Sequence, residues 1–290
     1  MFKQWANQNN ITLKHGSNGK ILLHLFWNQL FVIKLKIYKW LHGIHHPIIH
    51  YYAVCWNEEK MLPFMFDYYG QFVDHFTIYD NYSDDSSEAI ILSHPNTEIK
   101  KFSMGGEIND YIYQDIKNNC WKRSRGKADY VIVGDIDEFI YHPDILHALN
   151  MLKGNHFSIV KPYGYNMYSM NFPNHSKNKL ITNQVQRGLR HPMMDKCVLF
   201  NPHAIVEINY KPGAHECYPW GRVKLYRNEA FKLLHYKNIG LEELISRNRL
   251  YAKRLSKKNI ENDYGTPYLR NEETIISEFR EQEKKATVII

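Results

Sequence analysis

Cysteine is scarce in this chain, and the cysteines present form no recognisable motif. The 290 residues include four cysteines without a C-x-x-C pair or a regular spacing: Cys55, Cys120, Cys197 and Cys217. This pattern argues against a zinc ribbon and against a disulfide scaffold. We expect four free thiols that behave as small buried apolar side chains, in a protein of the reducing cytosol.

Acidic residues are missing from the first 57 residues, and so is a long uninterrupted apolar run. The apolar segment Ile21–Ile33 contains His24, Asn28 and Gln29, and it is too short to cross a bilayer. No cleavable signal peptide is expected, because residues 1–19 are polar. We therefore expect a cytoplasmic protein that is soluble or peripheral on the inner face of the membrane.

The same N-terminal stretch is basic. Its lysines are Lys3, Lys14, Lys20, Lys34, Lys36 and Lys39. Between Leu22 and Trp40, large apolar residues are interleaved with the last three lysines, as in a segment that lies on an anionic membrane surface. The alternative is a lysine-flanked edge strand or helix that packs on the main domain with its cations solvated.

The whole chain carries a net charge of +7. A basic balance favours anionic partners such as nucleotide phosphates, acidic lipid head groups or nucleic acid. No recognised nucleic-acid-binding motif accompanies the charge, so we expect no nucleic-acid partner. The length is sufficient for one large domain, or for one domain with an appendage.

From residue 48 onwards, strand patterns alternate with helix patterns. The predicted elements, in chain order, are the strand Ile48–Cys55, a helix that opens near Pro63, the strand Phe76–Tyr79, the helix Ser87–Leu92, the strand Glu98–Phe102, the helix Asp110–Trp121 and a strand from Tyr130. This order predicts an α/β fold whose mostly parallel sheet is flanked by helices and joined by right-handed crossovers.

One predicted strand ends in three carboxylates. The apolar run Tyr130–Val133 leads through Gly134 into Asp135, Asp137 and Glu138. Ligands of open α/β sheets bind just beyond the carboxyl ends of such strands, and carboxylates clustered there repel one another unless a cation lies between them. Because Asp135 and Asp137 are two residues apart, they face the same way and predict a divalent-metal site. The alternative is a surface turn whose acids keep the strand end soluble.

A second predicted strand, Phe76–Tyr79, also ends in acidic and turn-forming residues. In a parallel sheet both ends open onto the same edge, so they could face a single nucleotide. The cluster after Tyr79 would hydrogen-bond the base and the ribose, and the other cluster would hold a cation against the diphosphate. The alternative for Asp80, Ser83 and Asp85 is turn formation and helix capping.

In this order and spacing, the motifs resemble those of GT-A glycosyltransferases, and more narrowly of the family 2-like and family 92-like group with an Asp-x-Asp-Glu-Phe strand end. The matching segments are Val54–Glu59, Tyr79–Ser86, Asp129–Phe139, Lys196–Pro202, Gly213–His215 and Leu233–Lys237. The resemblance covers roughly residues 48–258. It implies transfer of a sugar from a nucleotide-sugar, foremost a UDP-sugar, to an acceptor hydroxyl, with Mn²⁺ or Mg²⁺ as cofactor.

The resemblance also implies roles for single residues. Asp80 would contact the nucleoside, Asp135 the ribose or the metal, and Asp137 the metal directly. GT-A enzymes commonly complete the metal shell with a histidine, and His215 and His235 match motif positions; the alternative for each is a hydrogen-bonded packing residue. The further candidates for binding the nucleotide-sugar are Asn57, Glu59, Asn81, Ser83, Asp85, Asp135 and Lys196.

A catalytic base is required if the sugar is transferred with inversion. The base would be a carboxylate within hydrogen-bond reach of the acceptor hydroxyl. Asp195 and Glu216 are the best-placed candidates in the second half of the chain, although neither lies in the adjacent Glu-Asp motif of family 2. The alternative for each is an ordinary salt-bridged acid.

The end of the chain predicts a helical extension. Residues 241–258 form an amphipathic pattern with Leu244 on the apolar side and Arg247 among the exposed basic residues. The predicted organisation is thus a basic N-terminal arm at 1–46, a GT-A domain at 47–240 and a helical C-terminal extension at 241–290.

Taken together, these features predict a metal-dependent, inverting glycosyltransferase. The predicted acceptor is a glycan or a glycolipid, in the synthesis of a surface glycan such as lipopolysaccharide or capsule. A nucleotidyltransferase or phosphotransferase that uses the same metal and carboxylates is the alternative.

Overall fold

The computed structural model describes residues 11–12, 18–176 and 179–290. Its α-helices are α1 Asn18–Leu41, α2 Leu62–Tyr69, α3 Ser87–Ser93, α4 Asp110–Asn119, α5 Ile145–Gly154, α6 Ile181–Gln184, α7 Leu241–Ala252, α8 Lys257–Glu261 and α9 Glu272–Lys285. Its β-strands are β1 Ile11–Thr12, β2 Ile49–Cys55, β3 His75–Asp80, β4 Thr97–Lys101, β5 Tyr130–Asp135, β6 Glu138–Tyr141, β7 Ile159–Val160, β8 Tyr163–Ser169, β9 Arg187–Arg190, β10 Leu199–Phe200, β11 Ile205–Glu207, β12 Trp220–Arg222, β13 Leu225–Tyr226, β14 Lys232–Ile239 and β15 Thr287–Val288.

A seven-stranded central sheet organises the fold, in the order β13-β7-β10-β5-β2-β3-β4. The strands β5, β2, β3 and β4 run parallel to one another, and the helices α2, α3 and α4 make the crossovers between them. Only β10 runs antiparallel to its neighbours in this sheet, between β5 and β7. The predicted α/β architecture with a mostly parallel sheet flanked by helices is confirmed.

Both faces of the central sheet are buried, which explains why its strands read as apolar runs without alternation. Tyr51 and Tyr52 are successive residues of β2 and point to opposite faces, yet both are fully buried. Tyr51 packs in the larger core with Tyr69 and Phe139, whereas Tyr52 lies in a second core around Trp121. The sheet is therefore a rigid frame for the residues at its edge.

A second, five-stranded sheet has the order β15-β9-β8-β14-β6. Its strand β6 follows β5 directly and pairs antiparallel with β14, so that His235 lies opposite Glu138. This pairing brings the segment around His235 next to the acidic end of β5, although the two are about 100 residues apart in the chain.

The helix α1 extends further than the apolar segment recognised in the sequence. Among the described residues, one helical segment, Ile21–Leu41, is long and apolar enough by length and composition to cross a membrane. The expectation that this region is too short was wrong, because the helix continues past Ile33 through further apolar residues to Leu41. Lys3 and Lys14 lie outside the described residues.

The predicted helix over 241–258 is broken in two, and one of its arginines faces inward. Helix α7 ends at Ala252, after which Ile108 donates a backbone hydrogen bond to the carbonyl of Arg254 at 2.6 Å. Ser256 then caps α8 by accepting from the backbone N–H of Asn259. Arg247 was expected on the exposed face, but it is mostly buried because it pairs with an acidic residue of the candidate site.

The four cysteines are free, and three of them are buried. Cys217 is partly exposed. The expected burial of the free thiols is thus seen for three of the four. The division into an arm, a domain and an extension stays a prediction; the C-terminal strand β15 pairs with β9 and so joins the last residues to the second sheet.

Candidate functional site

Three neighbouring strands end at one edge of the central sheet. Asp80, the last residue of β3, is paired with Cys55 at the end of β2, and Asp135, the last residue of β5, is paired with Val54. The loops that follow these strands therefore begin side by side. The structure places both acidic strand ends at one edge, as the parallel order led us to expect.

Asp80 is fully buried, and its carboxylate is already neutralised within the protein. Lys101 Nζ lies 2.6 Å from one oxygen, and Ser83 donates to the carboxylate from its hydroxyl at 2.5 Å and from its backbone N–H at 3.2 Å. These contacts fix the turn after β3. A carboxylate can accept about four hydrogen bonds, so these three contacts leave capacity for one more. Contact of Asp80 with a nucleoside stays a prediction.

The loops after β2 and β3 are tied together by reciprocal hydrogen bonds. Asn57 donates its side-chain amide to Asp84 at 2.5 Å, and Asp84 donates its backbone N–H back to Asn57 at 3.0 Å. Asp85 accepts from the backbone N–H groups of Glu59 at 3.1 Å and of Ser87 at 2.8 Å. Loop formation and helix capping account for these contacts, and a role of Asn57, Glu59 and Asp85 in donor binding stays a prediction.

Asn81 has an amide group that the described residues leave unpaired. Its side chain is 4% exposed, and its Oδ1 accepts from the backbone N–H of Met104 at 3.2 Å. Its Nδ2 has no hydrogen-bond partner within the described part of the chain. A buried donor without an acceptor is destabilising, so this amide is a candidate for contact with a bound ligand.

Asp135 lies between two buried lysines. Lys117 of α4 is 2.6 Å from its Oδ1, and Lys196 is 3.8 Å from its Oδ2. Burial alone would raise the pKa of Asp135, but the two ammonium groups outweigh this effect and hold that pKa below its ordinary value. Asp135 is therefore ionised at neutral pH.

Asp137 meets a histidine and an arginine. Its Oδ2 is 3.5 Å from Nε2 of His235 and 3.4 Å from Nη1 of Arg247. Burial again opposes ionisation, but His235 and Arg247 lower the pKa of Asp137 far below its ordinary value. The Asp137 carboxylate is thus a stable anion at the mouth of the site, with its side chain 13% exposed.

The ring of His235 is oriented by a third residue. Its Nδ1 lies 2.9 Å from the amide oxygen of Asn166, which can only accept, so Nδ1 carries a proton. Nε2 faces the carboxylate of Asp137: with a proton it pairs with the carboxylate and lowers the pKa of Asp137, and without a proton it presents a lone pair. Two lone pairs at this distance repel unless a proton or a metal ion lies between them, and metal-bound histidines are commonly oriented in this way.

Glu58 is a protonatable group in the same cluster. Burial raises its pKa to about 8, Arg247 opposes this shift, and the negative charges of Asp137 and Asp135 add to it. The Tyr251 hydroxyl lies 3.4 Å from its Oε1. Glu58 is therefore mostly neutral at pH 7.

Glu58 should make the protein less stable as the pH rises. Its folded pKa of about 8 lies above the ordinary 4.5, so between these values the folded protein keeps a proton that the unfolded chain releases. The free energy of unfolding therefore falls through this window and levels off above it. Glu58→Gln keeps the side chain neutral, so between about pH 5 and pH 8 its free energy of unfolding should fall by about 3–4 kcal/mol less than that of the parent protein.

Urea unfolding at a series of pH values measures this difference. Glu242→Gln, an exposed position on α7, is the matched control and should keep the slope of the parent protein. If Glu58→Gln and the parent protein show the same slope, Glu58 does not hold the extra proton.

The charges of the cluster balance without a metal ion. Its three carboxylates and three basic side chains are Asp135, Asp137, Glu138, Lys117, Lys196 and Arg247. Within the described residues, no three His, Cys, Asp or Glu side chains converge on a position that could hold a metal ion. Asp137 and His235 fit a metal ion as a pair of ligands, whose remaining ligands would be water and the oxygens of a bound diphosphate.

The loop with His215 and Glu216 lies beside the cluster rather than in it. His215 is exposed, and its Nδ1 is 2.9 Å from the carbonyl oxygen of Met193. Gly213 has a φ of 73°, and a Cβ there would lie 2.8 Å from the His215 ring, so glycine is needed at this turn. Glu216 is exposed and accepts a hydrogen bond from the Tyr218 hydroxyl at 3.1 Å. The structure brings His235, but not His215, into contact with Asp137.

The carboxylate of Asp195 is bound by two arginines and one backbone N–H group. Arg190 and Arg227 each lie 2.7 Å from its Oδ2, and the backbone N–H of Gly164 donates to its Oδ1 at 2.8 Å. This arrangement has the form of the salt-bridged acid that was the alternative for Asp195. Its part in catalysis stays a prediction.

Lys196 is buried as part of an ion pair. Its side chain is 5% exposed and its Nζ is 2.5 Å from Oε1 of Glu138, which is 1% exposed. The same Nζ lies 3.8 Å from Oδ2 of Asp135, so Lys196 contacts both acids at the end of β5. Contact of Lys196 with the nucleotide-sugar stays a prediction.

Two residues of the cluster, Glu58 and Lys117, were given no role from the sequence, and a third, Arg247, was placed on the exposed face of a predicted helix. Glu58 could have been found, because it follows β2 at the same sheet edge as the other acids. Lys117 and Arg247 lie on helices, and the sequence patterns of these helices do not show that the two cations face the acidic strand end.

No family model and no curated protein matches this chain. Similar solved structures include S. aureus TarS 1–349 in complex with UDP-GlcNAc, at 12% identity and a TM-score of 0.42, covering 82% of this chain and 73% of that chain. For the longer S. aureus TarS chain the identity is 12%, the TM-score 0.42, and the coverage 81% of this chain and 43% of that chain, so this chain spans less than half of its length. Glucosyl-3-phosphoglycerate synthase from Mycobacterium tuberculosis, in complex with Mn²⁺, UDP and phosphoglyceric acid, matches at 16% identity and a TM-score of 0.29, over 41% of this chain and 43% of that chain.

Proposed function

We propose that this protein is a metal-dependent glycosyltransferase that moves a sugar from a UDP-sugar to the hydroxyl of a glycan or glycolipid acceptor in surface-glycan synthesis. One observation carries the proposal. An ionised carboxylate, Asp137, and an oriented imidazole, His235, face each other at 3.5 Å at the edge of the sheet where nucleotides bind in open α/β folds.

Asp137 and His235 are the residues that would hold Mn²⁺ or Mg²⁺. The ion would neutralise the charge that develops on the nucleoside diphosphate when the sugar leaves. Asn166 keeps Nε2 of His235 directed at this position, and Arg247, which pairs with Asp137, would share that carboxylate with the ion. Asp135, the last residue of β5, supports the same strand end.

Basic side chains around the carboxylates suit a diphosphate. Lys117 of α4 pairs with Asp135, and Arg247 of α7 pairs with Asp137. Because these charges already balance the carboxylates, a metal ion alone would leave the site with excess positive charge. A metal ion together with a diphosphate keeps it near neutral, so we propose that the two bind together.

The loops after β2 and β3 would receive the nucleoside. Their reciprocal hydrogen bonds hold Asn57 and Asp84 in a fixed arrangement, and the unpaired amide of Asn81 is available to an acceptor atom of the ligand. A fixed loop that binds the nucleoside loses little conformational entropy on binding.

Glu216 is our candidate for the catalytic base of an inverting transfer. Its carboxylate is exposed and has one hydrogen-bond donor in the described chain, Tyr218, so that it can accept the proton of an acceptor hydroxyl. Asp195, with two arginines on one oxygen, is better suited to position Arg190 and Arg227 beside the loop.

A thermal-shift screen tests the proposed donor and its metal together. At a hundredfold excess over the dissociation constant, UDP with Mn²⁺ should raise the melting temperature by about 5 °C, because a ligand of the folded state stabilises it by about 2.7 kcal/mol. Mn²⁺ alone and UDP alone should give much smaller shifts, since each leaves the site with unbalanced charge.

The screen also separates the two enzyme classes. Nucleotide-sugars should stabilise the protein in the presence of Mn²⁺ and be turned over when an acceptor is supplied. Stabilisation and turnover by nucleoside triphosphates, with no response to any nucleotide-sugar, would contradict the proposal and favour a nucleotidyltransferase or phosphotransferase.

A further inference from the structure

Helix α1 has an apolar face that no other part of the described chain covers. Large side chains recur on it every three or four residues and are between 44% and 80% exposed: Phe26, Leu30, Ile33, Ile37, Trp40 and Leu41. The opposite face carries Ile21, Leu25 and Leu35, which are buried against the body of the protein. A contiguous exposed apolar face on a soluble domain marks a binding surface.

The inner face of α1 is fixed to the protein by polar contacts. Asn28 is buried and donates its amide to the carbonyl of His203 at 2.9 Å. At the other end, Lys39 lies 2.8 Å from the carboxylate of Asp129, which is itself buried. Crossing a bilayer would bring Asn28 into the hydrocarbon without its partner and would separate Lys39 from Asp129, so α1 stays along the domain.

The charge around the outer face of α1 favours an anionic binding partner. The chain has no acidic residue before Glu58, and Lys34 and Lys36 are exposed on α1 without an ion-pair partner among residues 18–176 and 179–290. An apolar helix face flanked by unpaired lysines matches a surface with acyl chains below and negative head groups above. A protein partner would not require this arrangement of charge.

A cavity beside α1 has the chemistry of a head-group site. It has a volume of about 440 Å³, and its walls include Lys34, Lys127, Arg123 and the acidic Asp74. Arg123 is paired with Glu98 at 2.9 Å, which leaves the two lysines as the free cations of the wall in the part of the chain that the structure describes. A lipid phosphate next to the docked helix could lie between them.

We propose that α1 lies in the plane of an anionic membrane surface, with the Phe26–Trp40 face submerged among the acyl chains and Lys34 at the level of the phosphates. This proposal concerns membrane binding by α1 rather than sugar transfer. It does not depend on whether the protein has that activity. It would place the protein on the surface where lipid-linked acceptors are found.

Co-sedimentation with vesicles tests the docking site. The parent protein should pellet with vesicles of phosphatidylcholine and phosphatidylglycerol and remain largely in solution with pure phosphatidylcholine. Ile33→Glu combined with Ile37→Glu, and separately Lys34→Glu, should each lower partitioning by at least about tenfold. Leu92→Glu, an equally exposed apolar position on α3, is the matched control and should pellet like the parent protein.

Two outcomes overturn the proposal. One is equal binding to both vesicle types, or to neither. The other is a stable dimer in solution that Ile33→Glu with Ile37→Glu converts to monomer, since a second copy of the chain would then be the occupant of this face. All the substituted side chains are exposed. The circular dichroism spectra and melting temperatures of the variants should therefore equal those of the parent protein.

Discussion

Asp137→Ala should lower sugar transfer by about 1,000-fold while leaving the protein folded. In our account Asp137 is a ligand of the metal ion, and a metal ion supplies several kcal/mol of stabilisation to the charge of the leaving diphosphate. The loss should appear in transfer and in the Mn²⁺-dependent binding of UDP. Rate measurements with the best donor from the screen, alongside calorimetric titration of UDP with Mn²⁺, provide the test.

The fold should survive this substitution because the neighbours of Asp137 have other partners. Arg247 still donates to the carbonyl of Lys237 at 2.5 Å, and Glu58 can ionise and take over as its counter-ion once the charge of Asp137 is gone. We expect the melting temperature to fall by a few degrees at most.

A matched control exists elsewhere in the chain. Asp67 lies 2.9 Å from His175 on the surface, an aspartate–histidine pair with the same chemistry as Asp137 and His235 but away from the site. Asp67→Ala should keep full activity. If Asp137→Ala also keeps full activity, Asp137 has no part in the mechanism.

Lys196→Met should destabilise the protein by about 3–5 kcal/mol, the largest stability effect that we expect. The substitution leaves the carboxylate of Glu138 buried without a counter-ion, and an uncompensated buried charge is costly. Lys196→Met combined with Glu138→Gln removes both charges, and most of the stability should return. Urea unfolding of the parent, the two single variants and the double variant gives the coupling energy.

An exposed ion pair provides the comparison for this cycle. Lys60 pairs with Glu243, with side chains that are 57% and 28% exposed, and Lys60→Met should cost less than about 1 kcal/mol. A small effect of Lys196→Met, similar to that of Lys60→Met, would mean that the pair with Glu138 does not support the end of β5.

The frame of the site could be predicted from the sequence because its strands are buried on both faces. An apolar run that ends in carboxylates marks the carboxyl end of such a strand, and the order of strands and helices implies that Asp80 and Asp135 share an edge. The sequence could not distinguish His235 from His215 as the partner of Asp137. The distinction depends on the pairing of β6 with β14, which is a tertiary contact.

The basic side chains of the site could not be predicted, because they come from helix faces chosen by packing. Lys117 and Arg247 look like solvated cations in the sequence, as most lysines and arginines on helices are. Their burial follows from where α4 and α7 lie against the sheet. The full extent of α1 was missed for a related reason: its inner polar residue, Asn28, reads as an interruption until its partner on the body is seen.

The most direct test of the account is the position of the metal ion in a crystal grown with Mn²⁺ and UDP. Anomalous scattering from manganese should locate one ion bound to Asp137 and His235 at coordination distances of about 2.0–2.5 Å, bridged to both phosphates of UDP. An ion bound elsewhere, with the Asp137 carboxylate still paired to Arg247 beside bound UDP, would contradict the proposed role of this site.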